Sequence, residues 1–159
     1  MADEVQLVVF LLKQGDIICE YGIPIIQVQE IINMTRPTRL PQAPDFVEGI
    51  INLRGNIIPI IDLKKRFSMG ASEITSDTRS IVVEVDGQKV GIIVDEVSEV
   101  LRLANSEIEP PPAVIGGISA EYLTGVGKLG DRLLILLDMN KILNENEKKE
   151  LSMVSNSNA

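Results

Sequence analysis

The chain has 159 residues, 45% of them hydrophobic, with 15 Lys and Arg against 23 Asp and Glu, a formal net charge of −8. An acidic chain repels phosphate backbones, which sets nucleic acid aside as a partner. With no His and one Cys, the sequence has no Ser-His-Asp or Cys-His arrangement, no internal disulfide and no zinc site.

Aromatics are only 3% and Trp is absent, so Ile, Leu and Val must build the core, and these suit pleated, half-buried surfaces. Val5–Leu12 is an apolar run broken only by Gln6 and reads as a strand buried on both faces. Gln14-Gly15-Asp16 turns it into a return strand, Ile17–Tyr21, which Gly22 is expected to break. Cys19 lies in that strand and reads as a small buried hydrophobe in a reducing cytosol. Pro24 suits the first turn of a short helix, and Val28–Met34 returns to strand. Pro37, Pro41 and Pro44 mark a loop, with Asp45–Glu48 one helical turn. Gly49–Leu53 and Ile57–Ile61 form the clearest hairpin, tipped by Arg54-Gly55-Asn56. Pro59 inside the second strand points to an edge or a bulge. Asp62 caps a helical segment, Leu63–Phe67, on which Lys64-Lys65-Arg66 reads as a solvated face. Ser68–Asp77 is a polar connector.

Beyond it, Ser80–Val85 and Gln88–Val94 flank Asp86-Gly87, a strong hairpin signal. Ala104–Ser119 reads as a long loop holding three consecutive prolines, Pro110 to Pro112. Leu123–Leu129 and Arg132–Leu137 pair across Gly130-Asp131, and Asp138 caps a last helical segment that Glu145–Leu151 extends. Residues 151–159 read as a frayed polar tail. No apolar run is long enough to span a bilayer, and Met-Ala-Asp-Glu at the start has no signal-peptide pattern.

The chain repeats itself. Gly49 to Leu63 returns as Gly125 to Met139, with Leu53 matched to Leu129, Ile58 to Leu134 and Asp62 to Asp138. Upstream, Gly22-Ile23 and Val28–Ile32 return as Gly91-Ile92 and Val97–Leu101 at the same spacing. Short strands joined by tight turns, said twice, argue for a mainly β protein of two small tandem β-barrels. The lobes are expected at 5–67 and 79–143 within one domain, 1–150. A unit of about 65 residues buries only ~60% of its unfolded surface, so the lobes are expected to share an apolar seam and unfold together. The sequence leaves open whether strands exchange between the halves.

Little of this material is catalytic in type. Gly125-Val-Gly-Lys128 lacks the spacing of a phosphate loop and reads as hairpin. Asp95/Glu96 and Glu107/Glu109 read as solvated acids rather than a hydrolase pair. Arg54 stands at a hairpin tip with no matching Arg in the second copy, which marks it as a binding candidate rather than a mere turn residue. Glu30 and Glu99 occupy equivalent places. Val28, Ile31, Ile32, Val97, Val100 and Leu101 exceed what two small cores hide, and exposed apolar surface marks protein contacts. The competing reading is a small-ligand or enzymatic barrel with Ala104–Ser119 as its lid. Converging carboxylates in a deep pocket would favour it; an apolar groove beside Arg54 would favour a binding module.

Three segments, Val47-Glu-Gly-Ile-Ile-Asn-Leu-Arg-Gly-Asn-Ile-Ile-Pro-Ile-Ile-Asp-Leu63, Val94-Asp-Glu-Val-Ser-Glu-Val-Leu101 and Tyr122-Leu-Thr-Gly-Val-Gly-Lys-Leu129, resemble the bacterial chemotaxis coupling family, CheW. Glu20-Tyr-Gly-Ile23 and Val28-Gln-Glu-Ile31 fit as well, and the resemblance runs from about Gln6 to Leu143. It implies two SH3-like barrels of about five strands each, and a non-catalytic cytoplasmic adaptor without a cofactor. Such an adaptor couples methyl-accepting chemoreceptors to the regulatory domain of the histidine kinase CheA, at membrane-anchored arrays but without entering the membrane. Carried over by motif, Val28, Glu30 and Gly49 would contact the kinase, and Arg54, Val97 and Val100 the receptor.

Overall fold

The structure, a computed structural model, describes residues 3–112, 114–115, 118–119, 122–143 and 147–149. Its strands are β1 (Glu4–Gln14), β2 (Ile17–Pro24), β3 (Val28–Asn33), β4 (Val47–Leu53), β5 (Asn56–Asp62), β6 (Arg79–Val85), β7 (Gln88–Val94), β8 (Glu96–Ala104), β9 (Ile108–Glu109), β10 (Val114–Ile115), β11 (Ile118–Ser119), β12 (Leu123–Leu129) and β13 (Arg132–Leu137). One α-helical turn, α1 (Leu63–Arg66), follows β5. Asp62 caps it by accepting from the Lys64 N–H at 3.1 Å, and Asp138 accepts from the Asn140 N–H at 3.0 Å, so the repeated Asp does the same work twice.

The strands form two sheets, and neither is drawn from one half of the sequence. A terminal sheet has the order β8-β1-β2-β13-β12-β9; a central sheet has the order β3-β6-β7-β5-β4. The first hairpin of each half has crossed over: β1–β2 joins the last hairpin, and β6–β7 joins β4–β5. Each crossing is a parallel contact, Leu136 beside Gly22 and Ile60 beside Gly91. A Cβ on Gly91 would stand 2.5 Å from Ile60 Cδ1, and one on Gly22 would stand 3.2 Å from Leu136 Cδ2. The repeated glycines make room for this exchange.

Alternation along the strands supplies three cores. Val8, Phe10 and Leu12 of β1, Ile81 and Val83 of β6, Ile92 of β7 and Leu137 of β13 all enter one cluster between the sheets. The intervening residues turn the other way. Leu7, Val9, Leu134 and Leu136 form an inner core of the terminal sheet, and Ile58, Ile60, Val82 and Ile93 one of the central sheet. Both edge strands of a sheet touch its inner core: Ile32 and Met34 on one side and Ile51 and Leu53 on the other for the central sheet. Each sheet is thus rolled around its own core, with no backbone pairing between its edges among the described residues. The expected shared seam is the first cluster, and the rings of Phe10, Tyr21, Phe67 and Tyr122 line up within it at centroid distances of 5.7, 6.5 and 5.8 Å.

Several local expectations change. Gly22 does not end β2, which runs on to Pro24. Residues 45–46 form a turn rather than helix. Pro59 sits inside an interior strand, where its register partner Ile50 directs both backbone groups away to Thr38, at 2.8 and 2.9 Å, so no bond of the β4 ladder needs the missing N–H. The Ala104–Ser119 stretch is not one loop: β9 pairs with β12, and β10 with β11. Lys64-Lys65-Arg66 is not a solvated face. Lys64 is buried and lies 3.4 Å from Asp95, itself buried, which also accepts from the Lys13 N–H at 2.6 Å. Arg66 lies over the rings of Phe46 and Tyr122, at 4.9 and 5.3 Å, and donates to the Ile142 carbonyl at 2.7 Å. Cys19 is half-buried and packs against the seam. The expected tail, 151–159, and most of Glu145–Leu151 lie outside the described residues.

Candidate functional site at the two sheet ends

The hairpin β4–β5 closes through Arg54 and Gly55, both at positive φ (51° and 89°), and Asn52 Oδ1 accepts from the Gly55 N–H at 2.8 Å. Such a two-residue turn suits the right-handed twist of its strands. It is one residue tighter than expected, because Asn56 already pairs with Leu53. Because the central sheet is rolled, this tip reaches the opposite edge strand, β3. Arg54 Nη2 there engages both carboxylate oxygens of Glu30. A small hollow of about 240 Å³ beneath the pair is lined also by Gln29 and Lys89. It is polar, not the apolar groove that would have favoured a binding module.

The second copy has the same device, built differently. On the terminal sheet Arg132 Nη2 lies 2.9 Å from Glu99 and 2.6 Å from Glu20. The two carboxylates hold this guanidinium above even the usual arginine range. Glu99 is the repeat partner of Glu30, so the apparent lack of a second Arg in the sequence is corrected. The cation comes from the strand after the turn rather than from its tip. The spacing of the repeat carried a further signal. Glu20 and Lys89 stand two residues before the matched glycines, Gly22 and Gly91. One end therefore holds two acids and an Arg, and the other two cations and a Glu.

The expected contact residues fall as follows. Val28 and Glu30 are half-buried on β3, and Val28 packs against the seam. Glu30 and Arg54, read as facing different partners, are one ion pair. Val97 and Val100 lie on β8 of the other sheet. Val97 packs against the seam, and Val100 is 52% exposed. Its repeat counterpart Ile31 is 41% exposed. Both β3 and β8 are sheet edges. Gly49 is buried: at φ 146° a Cβ there would stand 2.1 Å from the Thr38 carbonyl oxygen. Its role is to let residues 38–39 cover β4. Its counterpart Gly125 likewise admits β9, with a Cβ falling 2.7 Å from the Glu109 carbonyl oxygen.

At the cavity beside residue 105 the reading of Ala104–Ser119 as a lid meets no converging carboxylates. The cavity beside residue 105 is about 180 Å³, lined by apolar side chains with Asn105 and Thr124 and no carboxylate. Asp95 is not a solvated acid, and Glu109 is paired with Lys128 at 2.7 Å. Among the described residues there is no cluster of metal-ligating side chains and no helix long and apolar enough to cross a membrane.

Comparison with known proteins agrees with this architecture. The profile of the CheW-like domain matches residues 6–147. The chain is 44% identical over 137 residues to the chemotaxis protein CheW of Klebsiella aerogenes, covering 86% of this chain and 81% of that one. It is 38% identical over 154 residues to the chemotaxis protein CheW of Treponema pallidum, covering 94% and 88%. The crystal structure of the scaffolding protein TtCheW from Thermoanaerobacter tengcongensis superposes with a TM-score of 0.80 at 40% identity, covering 90% of each chain. With the profile, the relatives and the rolled, exchanged sheets in agreement, this chain belongs to the CheW family.

Proposed function

We propose that this protein is a non-catalytic adaptor of bacterial chemotaxis that couples the cytoplasmic tips of chemoreceptors to the regulatory domain of the histidine kinase CheA. It works in the cytoplasm at membrane-anchored receptor arrays. Family membership supports the adaptor role, in line with the scaffolding name of its structural relative. The observation that carries the geometry is the pair of open sheet edges, each with an exposed apolar residue beside an ion pair that spans the rolled sheet. Exposed edges and apolar patches are places where other chains dock. The unlike charge of the two ends suits head-to-tail docking with a domain of the same build, one end meeting the opposite end of the partner.

In this reading Val28, Glu30 and the surface shaped by Gly49 face the kinase, while Arg54, Val97 and Val100 face the receptor. The Glu30–Arg54 pair then lies where the two meet. An adaptor of this kind transmits signal by binding one signalling state better than another, not by chemistry. Calorimetric titration with the CheA regulatory domain tests the kinase side. Saturable binding, weakened at least tenfold by Val28→Asp, is expected; full-strength binding by this variant would remove Val28 from the interface. On the receptor side, Val100→Asp is expected to abolish co-sedimentation with receptor-bearing membranes while leaving kinase binding intact.

A further inference from the structure

Of the seven arginines, five are engaged. Arg54, Arg66, Arg102 and Arg132 pair with carboxylates, and Arg79 donates to the Ser76 and Thr78 carbonyls. Arg36 and Arg39 are the two whose side chains, among the described residues, make no ion pair or hydrogen bond, in a chain with 23 acids. Both line the same cavity of about 640 Å³, between the 34–39 segment, the start of α1 and the connector at 71–74. The volume is in the range of small-molecule sites. The backbone between the two arginines is held in place, since Thr38 exchanges two hydrogen bonds with Ile50.

The acids of this cavity are already committed. Asp62 accepts from the Lys64 and Ser72 N–H groups and from the Ser72 hydroxyl, at 3.1, 3.0 and 2.7 Å. Glu48 Oε1 lies 2.6 Å from Lys65 Nζ, a close ion pair. The pair is neutral, and Glu48 holds the Lys65 ammonium above its ordinary range. With Glu48 offset by Lys65 and Asp62 contributing one negative charge, the two guanidiniums leave the cavity net positive, above an apolar lining that includes Met34, Ile93 and the largely exposed Ile74. A guanidinium fork fits an oxyanion better than any other common ligand group.

We infer that this cavity is a binding site for a small molecule bearing a phosphate or carboxylate, the oxyanion held by Arg36 and Arg39 and an apolar part lying against Met34, Ile74 and Ile93. The site is separate from the Glu30–Arg54 and Glu99–Arg132 ends, and the inference stands whether or not the adaptor reading does. Phenyl phosphate, inorganic phosphate and benzoate, titrated into the full isotope-labelled chain and followed by amide NMR shifts, distinguish the anion and the apolar contribution. Phenyl phosphate or benzoate is expected to saturate shifts at residues 34–39, 62–65 and 71–74, several-fold more tightly than inorganic phosphate. The double variant Arg36→Gln/Arg39→Gln, exposed and so expected to fold, should weaken binding at least tenfold, while Arg102→Gln leaves it unchanged. Shifts that fail to saturate, or that persist undiminished in the double variant, would overturn the inference. So would a triglutamate peptide saturating these residues where the small aromatic anions do not, which would make the cavity a protein-docking face instead.

Discussion

Arg54 and Glu30 meet at the surface, with the Arg54 side chain 69% exposed. An exposed pair of this kind adds at most about 1 kcal/mol to stability. Arg54→Ala is therefore expected to leave the urea midpoint nearly unchanged while impairing coupling, and Glu30→Arg/Arg54→Glu tests the pair itself. Coupling restored by the double swap would mean that the pair matters as a unit. Coupling still lost would mean that partners read the individual charges. Gly49 is the opposite case. Gly49→Ala must both move the Thr38 carbonyl and strain a positive φ, the strain alone costing about 1–3 kcal/mol, and any loss of kinase binding should track the loss of stability in denaturation curves. Tyr21 gives a titration reading. Burial, reinforced by the nearby Cys19, pushes its phenol well above its ordinary pKa of 10.0. A raised folded pKa means stability that is constant below about pH 10 and lost as pH climbs beyond it. Ionisation of Tyr21, followed by ultraviolet absorbance, should thus coincide with alkaline unfolding.

Among the elements, the hairpins were legible and the crossings were not. Asp86-Gly87 and Gly130-Asp131 announce their turns, and the apolar run Val5–Leu12 announces a strand buried on both faces. The matched Asp caps were read correctly at Asp62 and Asp138 because an N-cap is a purely local device. What local signals could not carry was which strand each hairpin would join. Gly22 looked like a breaker, since only the approach of Leu136 from the far end of the chain explains it. Pro59 looked like an edge residue, since only Thr38 taking the bonds of Ile50 makes it harmless. The candidate site was half legible for the same reason. Glu30 and Arg54 were both singled out, yet assigned to separate partners, because their contact arises from the rolling of the sheet. Arg132 was missed because it reaches the matched Glu from a different register position. At this scale Asp62→Ala is expected to cost about 1–2 kcal/mol, since it strips α1 of its cap and frees Ser72. Thermal melts of Asp62→Ala and Asp138→Ala, compared, would show whether the two caps contribute alike.

For the molecule as a whole, the shared seam predicts one calorimetric unfolding transition; two resolved peaks would show that the sheets are stable apart. Asp95 is central to the seam, binding the Lys64 ammonium and the Lys13 N–H with side chains only 8% exposed. Asp95→Ala leaves a buried ammonium without its counter-charge and is expected to cost about 3–5 kcal/mol. Replacing both partners, Lys64→Met/Asp95→Leu, should recover most of that, as denaturant titration would show. The crossing of the first hairpins has a further consequence, in the order of synthesis. Strands β3 to β7 leave the ribosome consecutively, so the central sheet can assemble while the chain is still being made. The β1–β2 hairpin emerges before them, yet its sheet neighbours β8 and β13 are made later. Residues 4–14, with their run of Val, Phe and Leu, must therefore wait for partners made more than 80 residues later, and in that interval their apolar surface is open to chaperones.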